Sequence, residues 1–197
     1  LNMKLIRETI TYVEGLHIAN LKFDYNMTTN AMLLDRCMDY LVEKDFTLLI
    51  SLDGDEYQSD YRVDKHGKSS FARVAGNIQK LKDTYPEFFE KNVRFNAVLH
   101  DRNSVEECYK SIYGLFGKKP RVSELNTSGI IPERVEEFVR MFNDKTESFK
   151  TALTHDPDIK DDFEMEDDAS LAYHFMIMNY GGNRYSDYVD LFDSDRN

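Results

Sequence analysis

Phe46-Thr47-Leu48-Leu49-Ile50-Ser51-Leu52, closed by Asp53-Gly54, is the stretch on which the fold turns. It is a nearly continuous apolar run bounded by a turn signal, the pattern of a strand buried in a parallel sheet. A parallel strand needs a crossover on either side, and the flanking sequence supplies both. Upstream, Leu33, Leu34, Cys37, Met38, Leu41 and Val42 recur at helical spacing. Before them Leu21, Phe23 and Tyr25 alternate with polar residues, predicting a strand over Leu21 to Met27 that ends in the polar tip Thr28, Thr29 and Asn30. Earlier still, Leu5, Ile6, Ile10 and Val13 mark a helix with one buried face, stopped near Gly15.

Downstream the same alternation repeats. Phe71, Val74, Ile78 and Leu81 predict a helix begun by Ser69 or Ser70, and Val93 to Leu99 a strand after Pro86. Ser104 and Glu107 form a capping-box signature opening a helix through Val105, Tyr109, Ile112 and Leu115. Gly117 and Pro120 break the chain before a strand over Val122 to Leu125. A helix follows Pro132, with Val135, Phe138, Val139 and Phe142 as its apolar stripe, and another is expected around Leu171, Ala172, Phe175 and Met176. Four strands separated by helices imply an α/β fold of right-handed βαβ units, either an open doubly wound sheet or part of a barrel. A whole (β/α)₈ barrel needs eight strands and about 250 residues, so a partial parallel (β/α) barrel of about four units is implied. The expected division is a barrel portion over 1–152, an acidic loop over 153–168 and a C-terminal helix and tail over 169–197.

The 197 residues carry 25 Lys and Arg against 36 Asp and Glu, a formal charge of -11. That balance argues against nucleic acid, whose backbone is bound by clustered cations. Acids crowd between Asp156 and Asp168, where their mutual repulsion favours an exposed connection; the Gly-centred spacing of a calcium loop is absent. No window reaches the apolar length a bilayer demands, and Leu1-Asn2-Met3-Lys4 does not open a secretory signal, so the expected compartment is the cytoplasm. Cys37 and Cys108 match no metal or redox spacing and are expected to pack as small hydrophobes.

In parallel α/β folds ligands gather at the carboxyl ends of strands. Those tips carry Thr28, Thr29 and Asn30; Ser51 and Asp53; Asn96 and His100; and Asn126, Thr127 and Ser128. Such neutral hydroxyls and amides suit a ligand with several hydrogen-bonding groups, such as a nucleoside or an amino acid, but they also suit turns and caps. Ser51 stands out because its hydroxyl lies inside an apolar run and is expected to need a buried partner. Arg62 has the fork to grip a ligand carboxylate, or a surface ion pair with Asp60 or Asp64. His17, His66, His100, His155 and His174 lack metal-ligand spacing, and no catalytic triad can be argued from them.

Thr28-Thr29-Asn30, Ile50-Ser51-Leu52-Asp53-Gly54, Tyr61-Arg62-Val63 with Gly67-Lys68-Ser69-Ser70-Phe71, and Phe95-Asn96-Ala97-Val98, in this order, resemble the middle of a radical S-adenosylmethionine enzyme. The likeness covers about the first two-thirds of the chain. It is narrowest to the peptide-modifying branch that includes anaerobic sulfatase-maturating enzymes and maturases with a C-terminal SPASM extension. The resemblance implies a TIM-like (β/α)₆ core holding S-adenosylmethionine and a [4Fe-4S] cluster, whose 5′-deoxyadenosyl radical takes hydrogen from a peptide or protein substrate. It implies that Ser51 and Arg62 contact the methionine carboxylate or ribose, Asn96 the cofactor from the next strand, Thr29 and Asn30 the neighbouring tip, and Leu125 and Asn126 the adenine side.

The sequence departs from that family at the cluster. Its C-x₃-C-x₂-C motif, its glycine-rich segment for the methionine amino group and its cysteine-rich extension are not found in these residues. No catalytic or metal-binding residue is therefore assigned, the cluster ligands are expected elsewhere in the same protein, and this chain alone is expected to be inactive. An edge strand left unpaired would favour a dimer. Two other readings stand beside this one: a degenerate, cluster-less barrel that binds a peptide, and a barrel hydrolase or isomerase using Asp53 and Glu124 as paired carboxylates.

Overall fold

Leu48 and Ile50 are wholly buried, whereas Thr47, Leu49 and Ser51 between and around them keep some exposure. The alternation assigns one face of this strand to a core and leaves the other partly open. The computed structural model that shows this describes residues 2–16, 21–123, 125 and 132–155. In chain order the elements are α1 (Met3–Glu14), β1 (Asn26–Thr29), α2 (Met38–Glu43), β2 (Thr47–Ser51), α3 (Phe71–Thr84), α4 (Pro86–Asn92), β3 (Val93–Val98), α5 (Val105–Phe116), β4 (Arg121–Ser123) and α6 (Val135–His155). The four strands form one sheet in the order β1-β2-β3-β4, and β2 is parallel to both β1 and β3. The protein is thus an α/β fold with a parallel four-stranded sheet and flanking helices.

Register fixes which side chains share a face. Thr29 pairs with Ile50 and Ile50 with Phe95, while Thr28 pairs with Leu49, Leu49 with Arg94 and Ser51 with Asn96. Paired residues of parallel strands point the same way. One face therefore carries Thr29, Leu48, Ile50, Val93 and Phe95, and it is the buried one. Phe95 stacks on Phe116 of α5, ring centroids 5.3 Å apart, and meets Phe89 of α4 at 6.3 Å. Ile78 and Leu81 of α3 and Ile112 of α5 are fully buried in the same core. Each such side chain contributes about 2 kcal/mol by leaving water.

The described residues form two compact units, those within Leu1–Ala97 with Glu107–Arg121, and Val98–Glu106 with those from Val122 to His155. The first holds the core just described. In the second, the Leu99 N–H donates to the Ser123 carbonyl at 3.1 Å, and the Val105 N–H to Ser148 Oγ of α6 at 3.2 Å. Asn103 braces the turn there: its Nδ2 donates to the Val98 carbonyl and its Oδ1 accepts the His100 N–H.

Several elements differ from their predicted form. β1 begins at Asn26 rather than Leu21, since the first bond to its neighbour is the Thr47 N–H on the Tyr25 carbonyl and Leu21 stays half exposed. Thr28 and Thr29 thus lie within the strand instead of forming a tip. The helix from Leu33 to Val42 is split into a 3₁₀ turn, Leu34–Arg36, and the short α2. Ala31 just before it has φ 55°, and Asn77 Nδ2 of α3 holds the Ala31 and Met32 carbonyls. α4 has no apolar stripe to announce it, and its one signal is Pro86 at a first helical position with Glu87 beside it. Among the described side chains of α6, Met141 and Ala152 are buried, while Val135 and Val139 of the expected stripe remain exposed. Glu124, Asn126, Thr127, Ser128, His17, His174, the acidic run from Asp156 and the helix expected near Leu171 lie outside the described residues.

Cys37 and Cys108 are both buried free thiols, as expected of small hydrophobes. Burial pushes both thiols above the ordinary thiol value of 9.0, Cys108 further than Cys37. A thiol kept neutral by the fold ionises more readily in the unfolded chain. Its contribution is therefore complete below pH 9.0 and declines as pH rises through that value. The folded protein is accordingly expected to resist a thiol-specific reagent at mildly alkaline pH and to expose both thiols in guanidinium. Prompt stoichiometric labelling of the folded chain would contradict that burial.

Candidate functional site at the end of the second strand

Past Ser51 the chain leaves the sheet through Leu52, whose N–H still donates to the Asn96 carbonyl at 3.0 Å. It turns at Asp53-Gly54. Gly54 has φ +135°, a region that side-chained residues rarely occupy. Beyond it, Gln58 and Asp55 hold each other: Gln58 Oε1 accepts the Asp55 N–H at 2.8 Å, and Asp55 Oδ1 accepts the Gln58 N–H at 3.0 Å. Ser59 Oγ donates to the Gly54 carbonyl. This reversal carries Arg62 back to the strand end, where its Nη2 donates to Asp53 Oδ1 at 2.6 Å.

The far side of the loop is equally anchored. The Arg62 carbonyl accepts from both the backbone N–H and Oγ of Ser70, and Val63 bridges Ser69 antiparallel. Ser70 is the residue preceding α3, but its hydroxyl braces Arg62 instead of capping the helix. Asp64 Oδ1 accepts the His66 and Lys68 N–H groups, closing the outer turn. Cys108 Sγ of α5 donates to the Asp53 carbonyl at 3.3 Å. Asp53 is therefore fixed through its backbone by one element and through its carboxylate by Arg62.

Ser51 and Asn96 are register partners on the half-exposed face, and Arg62 is held two residues beyond Ser51. Ser51 and Asn96 are thus neighbours where β2 ends, and Arg62 is tied to the turn that follows it. The half-exposed setting of Ser51 corrects the expectation of a buried partner for its hydroxyl, because alternation turns it away from the core and toward solvent. Thr29 is not brought to that face; it shares the core side with Ile50, and its Oγ1 accepts the Ala31 N–H at 3.1 Å. Thr28 takes the open side instead, a swap legible from strand parity. Asn30 is exposed and closes a local turn, its Oδ1 accepting the Met32 N–H. Leu125 is half-buried in the second unit, and Asn126 is outside the described residues.

The sequence offers Arg62 a ligand or a surface acid; the structure gives it the buried Asp53, whose side chain is 4% exposed. Asp53 is thus paired with Arg62, while Glu124, its partner in the hydrolase reading, lies outside the described residues. Arg62 Nε is buried without a hydrogen-bond partner. A buried orphan donor costs about 1–3 kcal/mol, so it marks a place where an anionic group would be stabilised. The donor set thus fits a ligand carboxylate. It does not fit an iron-sulfur cluster: the sequence has two cysteines, both buried and held protonated, and among the described residues no group of three His, Cys, Asp or Glu could hold a metal. No helix of the described residues is long and apolar enough to cross a membrane.

A parallel α/β sheet with polar side chains gathered past one central strand end is the class that this geometry defines. Solved structures of native anSMEcpe share the fold. With bound AdoMet and Cp18Cys peptide, the match has a TM-score of 0.53 at 19% identity over 61% of this chain and 33% of that one. With AdoMet and Kp18Cys peptide it is 0.53 at 17% over 70% and 40%, and with AdoMet 0.54 at 17% over 77% and 44%. This chain spans under half the length of those it matches. No protein-family model and no curated protein sequence matches it.

Proposed function

We propose that this chain is part of a radical S-adenosylmethionine barrel of the peptide-modifying type, and that it supplies one wall of the cofactor site. The observation supporting this reading is that Ser51 ends β2 beside its register partner Asn96, with Arg62 paired to Asp53 just past it, in a fold similar to AdoMet-bound anSMEcpe. Arg62 would hold the methionine carboxylate, which its fixed, partly buried guanidinium is suited to receive. Ser51 and Asn96 would donate to or accept from the ribose or carboxylate along the open face. When bound next to a reduced [4Fe-4S] cluster, S-adenosylmethionine supplies a carbon radical able to take hydrogen from a peptide. The cluster ligands would come from outside these residues, and the peptide assignment rests on the peptides bound to anSMEcpe.

Calorimetric titration with S-adenosylmethionine tests the proposal. Saturable binding is expected, weakened about tenfold in Arg62→Ala, the loss of one charge-assisted hydrogen bond. Ser51→Ala should weaken it less. Absence of saturable binding, or variants indistinguishable from the parent, would sink the cofactor wall. Reconstitution with iron and sulfide is expected to give no [4Fe-4S] absorption on this chain.

A further inference from the structure

We propose that Asp53 is a positioning residue for Arg62, orienting the guanidinium so that its Nε edge faces an incoming carboxylate; this rests on the reading of Arg62 as a ligand contact. Arginine can grip a carboxylate through Nε and Nη2 together, but only when its long side chain is held in one rotamer. The 2.6 Å bond from Nη2 to Asp53 Oδ1 supplies that restraint. It is a single bond to one oxygen, and it leaves Nε buried and unpartnered when a two-pronged grip by Asp53 would have consumed it. Asp53 can impose this restraint because it is itself immobile. Its carbonyl accepts from Cys108 Sγ, it follows directly on β2, and its side chain is 4% exposed. The Arg62 backbone is fixed independently by the two bonds from Ser70 to its carbonyl. Both ends of Arg62 are thus restrained while one donor is kept in reserve.

The test is a double-mutant cycle on the whole chain with S-adenosylmethionine as the probe, read by calorimetry and by the side-chain Nε–H resonance of Arg62. In the parent the resonance is expected to be protected from exchange and to shift on titration. Asp53→Asn should weaken binding about five- to tenfold, speed exchange of the Nε proton, and add little further loss in an Arg62→Ala background. Asp53→Glu, which keeps the charge, should recover part of both signals and serves if the Asn variant folds poorly. Asp53→Asn binding like the parent while Arg62→Ala loses tenfold would overturn the positioning role alone, as would losses that simply add. Arg62→Ala and Ser51→Ala both binding like the parent would bring down the site reading, and this inference with it.

Discussion

Replacing Phe95 by Ala is expected to lower stability by about 4 kcal/mol, the largest single loss in the first unit. The ring is 1% exposed on the central strand β3, stacked on Phe116 and tilted against Phe89, so deletion opens a cavity among three elements at once. Neither neighbour can easily collapse into the gap. Phe116 ends α5 where the Lys82 Nζ donates to its carbonyl, and Phe89 lies in a helix of only seven residues, flanked by Lys82 and Lys118 over its ring. Aromatic pairing adds about 1 kcal/mol to the transfer and cavity terms. With no tryptophan in the sequence, urea denaturation would be followed by circular dichroism. Leu5→Ala, at a site 59% exposed, should shift the same curve by no more than about 0.5 kcal/mol. A Phe95→Ala loss below about 1.5 kcal/mol would show that this stack is not a tightly packed centre.

The legibility of this core in sequence follows from periodicity. α3 buries Val74, Ile78 and Leu81 at the spacing the sequence shows, but the continuous run of β2 does not tell buried Leu48 and Ile50 from half-exposed Leu49, and the stripe read for α5 includes Leu115, which is exposed. Where a single side chain decides the backbone, periodicity has nothing to report. Ahead of the break before Met38, Asn77 holds the Met32 carbonyl from 45 residues away. α4 is too short to show a stripe. Thr28 and Thr29 are chemically alike, and only their register with Leu49 and Ile50 tells which one faces the open side. The sequence singles out Ser51, Asn96 and Arg62 as candidates, but not the ion pair that sets Arg62, because Asp53 in an Asp-Gly dipeptide is already explained as a turn residue.

That dipeptide carries the second large effect. Gly54→Ala is expected to cost about 3 kcal/mol and to uncouple Arg62 from Asp53. At φ +135° a methyl group is strained in any surroundings, worth about 1–2 kcal/mol. The surroundings add to it, because the new Cβ would lie 1.7 Å from Gln58 Oε1 and 3.0 Å from Gln58 Cβ. Gln58 is 5% exposed, and moving its amide breaks the bond from the Asp55 N–H, leaving a buried group unpaired for about 1 kcal/mol more. The reversal over residues 54–59 is what returns Arg62 to the strand end, so its distortion acts on the ion pair from a distance in sequence. Gln58→Ala removes the obstructing amide and keeps only the Cβ contact at 3.0 Å. In that background the added cost of Gly54→Ala should fall toward the backbone strain, about 2 kcal/mol with the residual contact included. The Arg62 Nε–H resonance should lose its protection in Gly54→Ala while amides of β3 keep theirs. Retention of that protection, or a cost under about 1 kcal/mol, would mean that the turn tolerates a side chain and that Arg62 is held by Ser70 and Asp53 without it.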